Sequence, residues 1–494
     1  MAVSLLSCVH GWLSKTCLSP GSQNLYQTEG IYSDQGVLMI LRKITSEGLA
    51  QNSYFLSAGG EAAVVDPRRD IGAYLDLAME TGSRVKYIFE THRNEDYLVG
   101  SLDLADRTGA EMLHGHQMDF AYGRKLYEND TFPVGSVELR VIETPGHTME
   151  HIAIVVTDRR ISPLPYAVFT GDALFAGDVG RTDFFGPEMR PVVSEMLYES
   201  ITRKILTLGD QALVLPAHGA GSVCGAEISD HEISTVGYER LSNPLLQLSR
   251  EKFVERKVRE HHYLPPYFST MERLNKEGAP RVHQLPELRA WTVPELRKDA
   301  GAIQVVDIRS PTSFAGGFVP GSLSIWKEGL PAFMGWFLNY QDPIVLVDDF
   351  NCDLPAVSRH FMRLGYDNLA GYLAGGFPAW FKSASPVEKI ASWSVQELEQ
   401  ELSTTDIFLL DVRALEDVIE VGVIPGAHHI YIGELPGRVP EVPCDRQVVV
   451  FCDSGYKGSL GASILARNGY RTVANLLGGM TAWLKAGYKV GKPG

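Results

Sequence analysis

The chain carries an internal duplication. Laid on itself at an offset of about one hundred residues, "VVDIRSPTSFAGGFVPGSLSI" (305–325) matches "LLDVRALEDVIEVGVIPGAHHI" (409–430), and "RLGYDNLAGYLAGGFPAW" (363–380) matches "RNGYRTVANLLGGMTAW" (467–483). The same spacing of apolar runs and turn residues, written twice, asks for the same small unit twice. Each copy reads strand, turn, helix, strand, helix, strand, helix. That alternation builds an α/β domain whose sheet is mostly parallel. The back of the chain is therefore two such domains, over 286–385 and 390–490.

With 494 residues in all, the part ahead of the repeats is long enough for a core of its own. From 39 to 240, strand-like runs such as "NSYFLSA", "EAAVVD", "VKYIFET", "HIAIVVT" and "YAVFTGD" alternate with helical ones. Residues with metal-ligand chemistry fall just after the strand ends, where loops carry function on a rigid scaffold. They are His92 and Asp96 in "FETHRNEDYLVG", His147 in "TPGHTMEH", Asp172 in "FTGDALF" and His218 in "LPAHGAGS". One such residue alone reads as an ordinary loop hydrogen-bonder; four such elements in succession point to a metal. Residues 241–285, with "LLQLSREKFVERKVREHH" and then "YLPPYF", read as a helical linker.

A net charge of −15 excludes nucleic acid and anionic membrane as main partners. No apolar run approaches the roughly 20 residues of a membrane span. The six cysteines (Cys8, Cys17, Cys224, Cys352, Cys444, Cys452) form neither a disulfide framework nor a C-x-x-C pattern, which fits a reducing compartment. The opening "MAVSLLSCVHGWLSKTCLSPGSQ" lacks the positive flank of a signal peptide. Residues 1–38 read as a poorly ordered tail, and the expected location is the cytoplasm.

The four front elements, in this order, resemble the metallo-β-lactamase family, which implies an αββα sandwich for 39–240. That family's loop is T-H-x-H-x-D-H; here Asn94 and Tyr97 replace its second and third histidines. Both halves of a two-zinc site would be depleted, which argues against a thioester hydrolase. The set His92, His147 and Asp172 is that of the persulfide dioxygenases within this family, and "GRTDF" (180–184) resembles them too. The resemblance implies one Fe(II) per chain on those three residues. Two imidazoles and one carboxylate leave three positions open on iron, room for substrate and O₂ together. Asp96 and His218 become orienting groups beside the ligands. Arg181 is open between binding an anionic substrate and a salt bridge, and Cys224, in "GAGSVCGAE", between a sulfur relay and an inert buried thiol.

The two repeats resemble rhodanese domains. In the second, strand "RQVVVF" ends at Cys452 in "CDSGYKGS", and Cys452, Gly455 and Lys457 fit the rhodanese loop C-x-x-G-x-[RK]. Backbone N–H groups at a helix start form an anion nest that favours a thiolate, which can carry a sulfane sulfur. Lys457 adds charge for thiosulfate or sulfite. In the first repeat, "PIVLVDDFNCD" places Asp348 where Cys452 sits, with Cys352 four residues out of register. That copy reads as catalytically dead. The whole then resembles a persulfide dioxygenase fused to a degenerate and an active rhodanese domain. What this implies is oxidation of a low-molecular-weight thiol persulfide with O₂ to sulfite, and sulfur transfer at Cys452 to give thiosulfate, in sulfide detoxification. The expected partners are those small molecules, and the expected assembly is a homo-oligomer, dimer or tetramer. A sulfurtransferase with a silent front domain is the alternative; a zinc thioester hydrolase is a weaker one.

Overall fold

The computed structural model describes residues 32–33, 36–37 and 39–492, apart from 223, 226, 227, 232, 283, 284 and 300. The expected tail, 1–38, thus lies almost wholly outside the described residues. The front domain holds two six-stranded sheets face to face. One runs in the order Ile40–Ser46, Gln51–Ala58, Glu61–Val65, Arg84–Glu90, Glu111–Gly115, Arg124–Leu126; the other in the order Thr131–Val134, Val137–Glu143, Ile152–Asp158, Ala167–Gly171, Leu213–Pro216, Ser234–Thr235. Tyr54, Leu56, Phe89 and Leu113 from the first meet Leu139, Val141, Ile154 and Phe169 from the second, all buried. Helix Gly72–Glu80 covers the outer face of the first sheet through Tyr74 and Leu77; helices Arg190–Ser200 and Arg250–Arg259 cover the second through Leu197 and Phe253. This is an αββα sandwich, as the sequence reading expects.

Each repeat is a five-stranded sheet, parallel throughout and with the same strand order. The duplication in the letters is thus a duplication in space. The repeats share one apolar cluster, with Val306, Leu346 and Phe361 of the first beside Leu410, Val450 and Leu460 of the second. Tyr97, Leu98 and Val99 from the front domain's metal loop belong to that same cluster.

The segment between them does more than connect. Helix Phe268–Glu277 buries Phe268, Met271 and Asn275 at helical spacing. The Asn275 side chain donates to the carbonyls of Asn94 (2.7 Å) and Tyr97 (2.8 Å) and accepts from the Val99 N–H (3.1 Å). A backbone bond from Leu98 N–H to the Arg363 carbonyl (2.8 Å) fixes the same loop to the first repeat. Tyr97, where the family pattern has a histidine, is fully buried in this packing.

Candidate metal centre and sulfur loop

Strand Arg84–Glu90 of the first sheet ends two residues before His92, strand Val137–Glu143 of the second ends four before His147, and strand Ala167–Gly171 ends one before Asp172. The sandwich thereby brings three side chains, distant in sequence, to one rim. Gly171 is at φ +52, and a Cβ there would lie 2.5 Å from His151 Nε2, so the turn that delivers Asp172 requires glycine.

All three side chains are fully buried. The proton on each imidazole is fixed from behind. Thr91 Oγ1 gives its hydrogen to Asp66 (2.7 Å), so His92 Nδ1–H donates to Thr91 (2.9 Å). His147 Nδ1–H donates to the Arg181 carbonyl (2.9 Å). The lone pair of each ring is left on Nε2, and both Nε2 atoms are buried without a hydrogen-bond partner. They face Asp172 Oδ2 at 3.7 Å (His92) and 3.5 Å (His147). Ligands on one ion with bonds of about 2.1 Å stand roughly 3.0–3.4 Å apart, so a small closure suffices to bind a metal. Two orphaned donors and a carboxylate round one point fit a divalent cation.

Behind Asp172 stands His218, whose Nδ1 is 2.8 Å from Asp172 Oδ1 and whose Nε2 is 3.0 Å from Asp96 Oδ2. Burial disfavours its charge, but Asp172 and Asp96 outweigh that and hold the His218 imidazolium well above its ordinary pKa. For Asp172, burial pushes the carboxyl up, while His218, then His92 and His147, carry it well below the usual range. Asp96, His218 and Asp172 thus form a chain that points one carboxylate oxygen at the centre. His151, unremarked in the sequence, accepts from the Asp172 N–H (3.0 Å) and steadies that residue's backbone.

Glu95 is the larger omission. Its carboxylate, 1% exposed, lies 3.4 Å from His147 Nε2, and its Oε2 has no hydrogen-bond partner. In "HRNEDY" an acidic residue among charged neighbours reads as a solvated loop position, so only the fold shows it facing the centre. Cys224 is brought there too: its thiol donates to Glu95 Oε1 (3.6 Å), and burial, then the charge of Asp96, raises its pKa well above normal. Arg181 is buried and doubly bonded to Asp183 (2.7 Å at Nε and at Nη2), with its guanidinium 4.8 Å from the centre of the Phe184 ring. Of its two open roles the structure displays the salt bridge, and its backbone carbonyl orients His147.

In the second repeat, Cys452 follows strand Gln447–Phe451 and precedes helix Tyr456–Arg467. Its Sγ accepts the Gly455 N–H (3.1 Å), and Gly455 takes φ +95 to turn that N–H inward. Lys457 lies beside the loop with its Nζ 3.0 Å from Asp453 and 3.7 Å from Asp417. In the first repeat the carbonyl of Asp348 accepts from Phe377 as that of Cys452 accepts from Met480 (each 2.8 Å), which puts Asp348 at the sulfur position. Its carboxylate is neutralised by Lys327 (3.0 Å). The Cys352 thiol has the Phe350 carbonyl as its neighbour, 3.9 Å away.

Comparison with known proteins agrees with both halves. Residues 47–218 match the metallo-beta-lactamase superfamily, and residues 292–383 and 394–486 each match the rhodanese-like domain. Persulfide dioxygenase ETHE1, mitochondrial, of Bos taurus is 30% identical over 236 residues, covering 45% of this chain and 82% of that one. A hydroxyacylglutathione hydrolase of Cereibacter sphaeroides is 33% identical over 187 residues, 36% of this chain and 67% of that one. A metallo-beta-lactamase from Staphylococcus aureus subsp. aureus COL superposes with a TM-score of 0.61 at 28% identity, covering 68% of this chain and 98% of its own.

Proposed function

The chain belongs to the persulfide dioxygenase family of the metallo-β-lactamase superfamily, with two rhodanese-like domains behind the metal-site domain, and from that premise we propose a two-site enzyme of sulfide detoxification. It oxidises a low-molecular-weight thiol persulfide in front and transfers sulfane sulfur behind. The observation that carries the reading is the pair of orphaned, proton-directed Nε2 atoms of His92 and His147 facing Asp172.

In front the balance is RSSH + O₂ + H₂O → RSH + SO₃²⁻ + 2 H⁺. Fe(II), one per chain on His92, His147 and Asp172, would supply adjacent open positions where the terminal sulfur and O₂ meet. Glu95 Oε2, buried and unpartnered, is placed to take the persulfide proton as the sulfur binds. His218, held as imidazolium between Asp96 and Asp172, keeps the Asp172 carboxylate aimed. Phe184, whose ring lies 5.3 Å from that of His147, helps keep water off this side. Behind, the balance is SO₃²⁻ + RSSH → S₂O₃²⁻ + RSH, with Cys452 carrying the sulfur between the two. A zinc hydrolase finds less support here, because Asn94 and Tyr97 offer no imidazole to a second metal.

The sparse, irregularly spaced cysteines favour a reducing cytoplasm, and among the described residues no helix is long and apolar enough to cross a membrane. A dimer or tetramer remains our expectation.

The test is oxygen uptake by iron-loaded protein given glutathione persulfide, with sulfite and thiosulfate separated. The wild type is expected to consume O₂ and release thiosulfate. Cys452→Ser is expected to keep oxygen uptake and release sulfite. No uptake with iron bound would sink the dioxygenase half and leave a sulfurtransferase with a silent front domain.

A further inference from the structure

The wall facing the sulfur loop is contributed by the repeat that cannot carry sulfur. A shallow, largely open cleft of about 370 Å³ lies between them, lined by Ser454, Tyr456 and Lys457 of the second repeat and by Trp326 and Phe333 of the first. The Trp326 ring centre is 5.0 Å from that of Tyr456 and 5.4 Å from that of Phe333. The placement is fixed. Two residues before Trp326, Ser324 accepts no slack: its N–H donates to Ser463 Oγ (3.1 Å) and its hydroxyl bonds Ser459 Oγ (2.9 Å), both on the helix that starts at the sulfur loop.

This cleft is poorly matched to an inorganic sulfur donor. Thiosulfate is a small dianion that needs a nest and a cation, whereas pockets above about 300 Å³ suit molecules of cofactor or drug size. The cation at the rim, Lys457, is already flanked by Asp453 and Asp417. What remains for recognition is three aromatic rings and the Ser454 side chain. Cys452 is 1% exposed, so it is reached by a sulfur at the tip of a slender arm. A persulfide on an organic thiol has that shape: a terminal sulfur on a short chain, with a larger body behind.

We infer that Trp326, Phe333 and Tyr456 seat the organic body of a low-molecular-weight thiol persulfide, so that the first repeat selects the sulfur donor for Cys452. The inference rests on sulfur transfer at Cys452 and names its substrate class. In the loading step the Cys452 thiolate attacks the terminal sulfur of RSSH. The Cys452 S–S bond forms, the donor's S–S bond breaks, and the electron pair leaves on RS⁻, which takes a proton from water.

Two measurements test it. Loading of Cys452 is followed by intact mass against the concentration of glutathione persulfide and, separately, of thiosulfate. In Trp326→Ala the preference for glutathione persulfide over thiosulfate is expected to fall about tenfold, the worth of a lost aromatic contact, and Trp326→Phe to restore most of it. Equal loss with both donors, or no shift in preference, overturns the proposal. Calorimetric binding of S-methylglutathione, which cannot react, to Cys452→Ser is the second readout. It is expected to weaken when Trp326→Ala is added. If neither donor loads the wild type yet this weakening is seen, the pocket stands and the sulfur-transfer reading fails. If S-methylglutathione binding is indifferent to Trp326, the pocket assignment fails whatever the chemistry.

Discussion

Asp172→Ala is expected to purify folded with less than a tenth of the wild-type metal and with oxygen uptake lower by on the order of a thousandfold, against losses of about 10–100-fold for partners that only orient a ligand. The argument is positional. Asp172 places Oδ2 near both imidazole nitrogens, 3.7 and 3.5 Å away, and it is also what His218 points at, whereas Glu95, 3.4 Å from His147, has no such support behind it. Removing it leaves the two imidazole donors without their shared carboxylate, and the buried His218 imidazolium with Asp96 as its remaining counter-charge. His218→Ala and Asp96→Asn remove only the support and belong to the smaller class. Sulfur loading of Cys452 from thiosulfate, in a separate domain, serves as the control for folding. Metal analysis across the three variants decides the matter. If His218→Ala or Asp96→Asn empties the site as fully as Asp172→Ala, the ion sits on the Asp96, His218 and Cys224 side, and the ligand assignment is wrong.

The largest expected effect on stability is at Arg363. Its guanidinium, 2% exposed, leaves the first repeat to grip Asp70 of the front domain at 2.9 and 2.8 Å and Glu47 at 3.1 Å. Arg69 reaches the other way, bonding Asp367 at 2.6 and 2.8 Å and the carbonyls of Met362 and Pro280. Truncating one side of a buried pair costs about 3–5 kcal/mol when the other is left alone; here Arg68, 3.1 Å from Asp70, stays as a partner, so the lower end of that range is expected. Arg363→Ala should therefore lower the first calorimetric transition well below that of wild type. Arg363→Lys should recover only part of it, since an ammonium cannot make the two-pronged contact. A loss of under about 1 kcal/mol would mean the pair behaves as an exposed one. The effect has a pH signature. Burial pushes Asp70 up, but Arg363 and Arg68 bring it below its ordinary value. The contribution is thus complete above about pH 4 and fades as pH falls through the lowered value.

How much of this was legible in the letters depends on the kind of residue. The repeats were, because one pattern of apolar runs written twice has one solution. His92, His147 and Asp172 were, because each stands in a short motif at a strand end. Glu95 was not: nothing local separates a carboxylate aimed inward from one left in water. Tyr97 was legible only as a loss. The fold shows what stands in the histidine's place, a ring buried in the apolar cluster that also holds Tyr267 and Phe268, 5.9 Å from the His218 ring. The linker is legible as helical, but its charged stretch carries the stronger pattern; the quieter "FSTMERLNKE" gives no local sign that its Phe268, Met271 and Asn275 pack under the His92 loop. Contacts between parts far apart in sequence, such as Arg363 with Asp70, have no local signature at all.

The bond from Leu98 to the Arg363 carbonyl bears on how this protein can be divided. A gene cut at the linker would look natural, with oxygen chemistry on one side and sulfur chemistry on the other. Yet the loop bearing His92 is tied down by a helix inside that linker, Phe268–Glu277, and by a repeat beyond it. The smallest autonomous unit for the front site therefore extends through residue 385 and includes the repeat with Asp348 at the sulfur position. Engineers wishing to exchange the terminal sulfur-transfer module have one seam available, between the two repeats, and Ser324, Trp326 and Phe333 would have to be redesigned along it.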